Sequence, residues 1–204
     1  MQVTFDQLWA IAQQVANQSG QSTQNAFLSL ALILERPVAA WQYYCTPKNV
    51  ITFASTGCDG VHFSFLQQDR MVSGSAPISP IQQLSRSPVV MTVPMNFENQ
   101  NIVVSENLYE FLCLGCRTSY GMLELLSCPE SNLCALKSFD YAEALSEAQV
   151  AQLRLLNDAF SLSPYINLEG RMRHLQSTYL SCLQMGEVAV GDTTHWLPSR
   201  PISV

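Results

Sequence analysis

The stretch "FASTGCDGVHFSFL", residues 53–66, decides the fold because it places a tight turn between two strand-like runs. Phe53 and Ala54 on one side, and Val61 to Leu66 on the other, are rich in aromatic and β-branched residues, which favour strands. Gly57 and Gly60 can adopt positive φ angles, and Asp59 is a residue that tolerates turns. The stretch therefore predicts a β-hairpin, and the rest of the fold can be built outward from it.

The same turn carries the residues that look most like a site: Gly57, Cys58, Asp59, Gly60 and His62. One interpretation is structural, because a tight hairpin connection explains all five residues without any chemistry. The other makes Asp59 and His62 an acid–base or ligand pair beside the Cys58 thiol. The register of the strand decides whether His62 faces solvent or the core, since side chains alternate between the two faces.

Outward from the hairpin, the pattern predicts one α+β domain over residues 1–204. We expect N-terminal helices within 1–36, including a second, buried helix from Asn25 to Glu35 that ends before Pro37. About four strands in residues 49–104 form a central, mostly antiparallel sheet. Helices follow in 105–185, and 186–204 form an irregular tail. Capping boxes are predicted at Thr4 with Gln7 and at Ser146 with Gln149.

Composition excludes some classes of function. Only 13% of residues are charged and the net charge is −6, with no basic stripe, so we expect no nucleic-acid partner. With so few charges, either Ser, Gln and Asn form most of the surface, or a partner or a second copy covers part of it. The N-terminal residues do not resemble a signal peptide and no apolar run is long enough to span a membrane, which predicts a cytoplasmic protein. Seven cysteines then fit reduced thiols.

Motifs for cofactors and metals are missing from the sequence. It contains no phosphate-binding loop, no dinucleotide-binding glycine triplet, no paired-histidine metal helix and no Gly-x-Ser-x-Gly elbow. Cys113, Cys116, Cys128 and Cys134 offer a zinc-like set, but the first pair lies in an apolar helical run, so we interpret them as core cysteines. The sequence predicts no metal and no cofactor.

Three segments together resemble a known group of proteins: "FASTGCDGVHFSFL", "SPVVMTVPMNF" and "IVVSENLYEFLCLGC". Their succession over residues 50–126 is similar to that of uncharacterised bacterial proteins related to the SUKH superfamily. The resemblance implies a single-domain α+β binding protein, of the kind that includes toxin-neutralising immunity proteins and regulators, and not an enzyme. The matching positions are Gly57, Asp59, Gly60, His62, Glu106, Asn107, Leu108, Phe111 and Leu112.

The function that we expect is therefore a non-enzymatic protein-binding module, with another protein such as a basic toxin, or a second copy of the chain, as its partner. The expected partner-binding residues combine acidic and aromatic side chains: Trp41, Tyr43, Tyr44, Asp59, Asp69 and Glu98. Two alternatives stay open. One is a small hydrolase or transferase that uses Asp59 and His62, and the other is a self-assembling stress or envelope regulator.

Overall fold

The structure is a computed structural model that describes residues 2–39, 43–67, 83–116, 119–128, 145–164 and 166–186. The helices are α1 (Phe5–Ser19), α2 (Leu108–Gly115), α3 (Glu147–Phe160) and α4 (Leu168–Tyr179). Short 3₁₀ helices cover Leu28–Leu30, Gly121–Ser127 and Leu180–Cys182. The strands are β1 (Ile33–Ala39), β2 (Val50–Ser55), β3 (His62–Leu66), β4 (Val89–Thr92) and β5 (Asn101–Ser105).

The five strands form one antiparallel sheet in the order of the sequence, β1-β2-β3-β4-β5. The predicted α+β class is confirmed, and so is the hairpin at residues 53–66, where Ser55 pairs with His62 and Val50 pairs with Leu66. Its register shifts between Thr52 and Ala54. The sheet contains one strand more than the four that we predicted in residues 49–104.

The additional strand corrects the prediction of a helix from Asn25 to Glu35. This segment contains only one 3₁₀ turn, at Leu28–Leu30, and then continues as the edge strand β1. A continuous apolar run is compatible with a buried helix and with a buried strand, so the periodicity of this segment could not distinguish the two. Pro37, which we took as a helix stop, instead lies inside β1, where the edge of a sheet tolerates a residue without an N–H group.

Both predicted capping boxes are present. The Thr4 side chain accepts from the backbone N–H of Gln7 at the start of α1, and Ser146 and Gln149 make the same exchange at α3. Asn107 caps α2, where its side-chain oxygen accepts from the backbone N–H of Glu110. Helix α4 begins at Leu168 with Asn167 as its cap.

Aromatic packing joins the helices to one face of the sheet. Phe53 and Phe65 stack with their ring centroids 4.2 Å apart, and Phe111 of α2 meets Phe53 at 5.4 Å and Phe63 at 4.8 Å. Phe5 of α1 meets Phe53 edge-on at 6.0 Å. All five side chains are completely buried. Within the described part of the chain, no helix combines the length and apolarity that a membrane crossing requires.

The opposite face of the sheet is also buried, and it combines polar side chains with valines such as Val90 and Val103. Side chains alternate along a strand, so the residues between the core phenylalanines point away from α1 and α2. Thr52 and Ser64 share a hydrogen bond of 2.9 Å there, and the Thr92 hydroxyl donates to the side-chain oxygen of Asn101 at 2.8 Å. Each of these buried polar groups therefore has a partner, as burial requires.

Helix α4 closes the outer edge of β5 with a side chain. The amide of Gln176 accepts from the backbone N–H of Val103 at 3.1 Å and donates to its carbonyl at 2.7 Å. These are the two bonds that a sixth strand would make at this position. Gln176 therefore occupies the edge of β5 at Val103, where another strand could otherwise pair.

The approach of Tyr120 to Gly115 gives a test of this packing. A Cβ atom on Gly115 would lie 2.3 Å from the Tyr120 ring, which is completely buried and has no room to move. We expect Gly115→Ala to lower the free energy of unfolding by about 3 kcal/mol, measured by urea denaturation. Gly20→Ala is the control, because φ is +73° but nothing lies within 4 Å, and its cost should stay near 1 kcal/mol. Equal costs for the two variants would contradict the packing.

Candidate binding site at one end of the sheet

The antiparallel order brings two connections together at one end of the sheet. His62 at the start of β3 pairs with Thr92 at the end of β4, so the β2–β3 turn and the β4–β5 loop lie at the same end. We call residues 56–61 and 93–100 the turn end. The 3₁₀ helix Gly121–Ser127 adjoins it, since the Asn96 side chain donates to the Ser127 carbonyl at 2.7 Å.

The β2–β3 turn has the backbone that its glycines suggested. Gly57 and Gly60 have φ angles of +81° and +72°, and Asp59 itself lies at +50°. The Thr56 hydroxyl donates to the Cys58 carbonyl at 3.1 Å, and the N–H of Val61 donates to the same carbonyl at 3.0 Å. Cys58 and Asp59 are exposed at its tip.

His62 is buried at the base of this turn, with only 1% of its surface exposed. Its Nδ1 lies 2.8 Å from the Gly60 carbonyl, which only accepts, so Nδ1 carries the proton. Its Nε2 lies 3.2 Å from the Thr46 hydroxyl, which therefore donates. The ring of Tyr43 stacks on the imidazole at 5.6 Å. Burial lowers the pKa of His62 to about 4, so the imidazole is neutral at pH 7.

Asp59 and His62 do not form a pair. The Asp59 side chain is in solvent while the imidazole is buried, and both ring nitrogens bond to groups other than Asp59. The sequence left open whether His62 faces solvent or the core, and the structure shows that it faces inward. The His62 contacts hold the turn, and both ring nitrogens are engaged by Thr46 and Gly60.

The turn end does collect most of the residues that we predicted for partner binding. Tyr43 touches Gly60, and the Tyr44 hydroxyl donates to the Pro94 carbonyl at 3.4 Å. Glu98 is exposed in the β4–β5 loop. Trp41 and Asp69 lie outside the described residues, so the structure does not place them.

Three further residues at this end were missed by our reading of the sequence. Met95 and Phe97 project from the β4–β5 loop with 53% and 69% of their surface exposed. Glu124 lies in the adjoining 3₁₀ helix, where burial and the negative charge of Asp59 raise its pKa. The available signal was the pair of large apolar residues inside the polar, turn-like stretch "PMNFENQN", where burial in a strand is not expected.

The cysteines give no metal site among the described residues. Cys113 and Cys116 are buried in and at the end of α2, as core cysteines should be, and Cys128 is half-buried. Cys134 lies outside the described residues. The described part of the chain contains no group of three or more His, Cys, Asp or Glu side chains that could hold a metal ion.

Comparison with known proteins does not identify the site. No family model, no curated protein and no solved structure matches the chain. The function must therefore be argued from the geometry of the turn end itself.

The contact between Gly60 and Tyr43 makes the turn sensitive to substitution. A Cβ atom on Gly60 would lie 2.9 Å from both Cζ and the hydroxyl of Tyr43, and φ is +72°. We expect Gly60→Val to lower the free energy of unfolding by about 3 kcal/mol, through backbone strain and the clash together. Gly20→Val, with the same φ and open space, should cost clearly less in the same urea titration. A smaller loss at Gly60 would mean that Tyr43 does not press on the turn.

The buried imidazole predicts a dependence of stability on pH. The folded chain binds a proton at His62 with a pKa of about 4, whereas an unfolded histidine has about 6.5, so acid favours the unfolded state. The stabilising contribution is complete above pH 6.5 and is lost as the pH falls, by about 3 kcal/mol at pH 4. Urea titrations at pH 7, 5 and 4 should show this loss in the native chain and a much smaller one in His62→Gln. Parallel pH profiles would contradict the assignment.

Proposed function

We propose that the chain is a non-enzymatic protein-binding module that docks its partner with the turn end. The docking surface consists of Met95, Phe97, Glu98, Asp59 and Glu124. The observation that carries the proposal is the exposure of two large apolar side chains, Met95 and Phe97, on one loop. Exposed apolar side chains that lie close together are typical of surfaces that a partner covers.

The loop that presents these side chains is held in place by hydrogen bonds. The Asn96 side-chain oxygen accepts from the backbone N–H groups of Glu98 and Asn99, both at 3.3 Å. Its nitrogen reaches the 3₁₀ helix at Ser127, and Gln100 donates to the Pro94 carbonyl at 3.0 Å. A preorganised loop loses little conformational entropy when a partner binds, which supports its use as a docking element.

The charges of this surface favour a basic partner. Asp59, Glu98 and Glu124 have no ion pair within the described residues, whereas Asp6 pairs with Arg36, and Glu106 and Glu110 pair with Arg171. Arg173 lines a groove together with Asn99 of the β4–β5 loop, and it pairs with Glu169. A partner with lysines or arginines around an apolar pocket would complement the surface and associate faster.

The resemblance to SUKH-superfamily binding proteins agrees with this proposal. In its finer form, the partner is a basic toxin that an immunity-type protein neutralises. A second copy of the chain is a less suitable partner for this surface, because a two-fold contact would set the same acids against each other. The hydrolase or transferase alternative requires Asp59 and His62 to act together. It gains no support, because the buried His62 imidazole is hydrogen-bonded to Thr46 and Gly60.

Removal of the exposed ring tests the docking surface. Phe97→Ser should reduce recovery of partner proteins in affinity purification from the native cells by about tenfold, because it removes a central apolar contact. Ile166→Ser is the matched control, since Ile166 is fully exposed but lies just before α4. A protein that the native chain, Phe97→Ser and Ile166→Ser recover equally does not bind through this surface. If every recovered protein behaves in this way, the proposal is refuted.

Neutralisation of the acids tests the charge of the partner. We expect Asp59→Asn with Glu98→Gln to weaken binding about threefold to tenfold at low salt, and much less at high salt. Glu147→Gln with Asp158→Asn removes the same charge from exposed positions in α3 and should leave the affinity nearly unchanged. If both double variants bind alike, the partner is not recognised through its charge.

A further inference from the structure

A single segment, Tyr43–Asn49, connects the docking surface with the opposite end of the sheet. We call it the strap. Tyr43 lies against Gly60 at the turn end, whereas Asn49 precedes Val50, which pairs with Leu66 at the other end. The strap therefore extends along the sheet from one end to the other, and it is bound at both.

At the far end, the C-terminal segment Cys182–Gly186 holds the strap. The Asn49 amide donates to the Cys182 carbonyl at 2.9 Å and accepts from the N–H of Gln184 at 2.9 Å. The N–H of Lys48 donates to the Gln184 carbonyl at 2.7 Å. We call these three bonds the clamp. Two of them depend on one side chain, that of Asn49.

At the near end, the strap holds both connections that carry the docking surface. Thr46 donates to His62, which in turn bonds to the carbonyl of Gly60 in the β2–β3 turn. The Cys45 carbonyl accepts from the Asn101 side chain at 2.8 Å, at the start of β5. Tyr44 bonds to Pro94, on the β4–β5 loop.

The strap contributes no residue to the main hydrophobic core, although Cys45, Thr46 and Pro47 within it are buried. It forms hydrogen bonds with His62 and Asn101 of the sheet, and with Gln184 of the C-terminal segment. A segment held in this way opens at a lower free energy than strands packed on buried phenylalanines, because less apolar surface becomes exposed. The strap can therefore loosen while the sheet stays folded.

We propose that the clamp between Asn49 and the C-terminal segment controls the conformation of the docking surface through the strap. Release of the clamp loosens the β2–β3 turn and the β4–β5 loop together, and a partner bound at the turn end tightens the clamp in return, since coupling between two sites is reciprocal. The use of this control in regulating partner binding rests on the function proposed above. The mechanical coupling does not.

Hydrogen exchange followed by mass spectrometry on the full chain tests the coupling. Asn49→Ala should accelerate amide exchange in residues 56–61 and 93–100 by about tenfold. This is the effect expected for loss of its hydrogen bonds to Cys182, to Gln184 and, at 3.4 Å, to the Gln67 carbonyl. Exchange in β3 and β4 should not change. Gln152→Ala is the matched control, because its amide also joins separate segments, with bonds to Ser29 at 2.6 Å and Ala26 at 2.9 Å.

A graded variant separates the clamp from a general loss of stability. Asn49→Asp keeps the acceptor for Gln184 but loses the donor to Cys182, so its effect should lie between those of the native chain and Asn49→Ala. Acceleration confined to residues near 46–50 and 180–186, or spread equally over all strands, would overturn the proposal. The readout requires no partner, so its outcome is independent of whether the turn end binds one.

Discussion

The packing of Phe111 against Phe53 and Phe63 is the contact on which the rest of the structure depends. It fixes α2 on one face of the sheet and thereby decides which side chains of β2 and β3 are core. The alternate residues of these strands are left on the other face, where polar side chains must satisfy one another or find a cover. His62 is one of them. The strap forms hydrogen bonds with polar side chains of this second face, including His62 and Asn101.

Much of this fold is readable from the sequence because its signals are local. The hairpin follows from alternating strand residues around Gly57 and Gly60, and the ends of α1 and α3 follow from Thr4 and Ser146. The strand β1 was missed because its neighbours in space, not its own pattern, decide between helix and strand. The inward orientation of His62 could not be predicted, because a shift of the strand register by one residue would turn the side chain to the other face.

The candidate site was readable only in part, for a related reason. Asp59, Glu98 and the tyrosines could be named as acidic and aromatic residues in connections, but their assembly depends on the meander. Glu124 belongs to a distant part of the chain and joins them only through tertiary packing. Phe97 was missed although the polar, turn-like stretch around it does not favour burial.

The claim that the turn end is a protein-docking surface is tested most directly by a photo-crosslinking amino acid. Replacing Phe97 by p-benzoylphenylalanine, and Ile166 by the same residue in a control, places the probe at two exposed positions of which only one belongs to the surface. After irradiation in the native cells, the account predicts adducts at position 97 with a lysine- or arginine-rich protein that position 166 does not capture. No adduct at 97, or identical adducts at both positions, would contradict it.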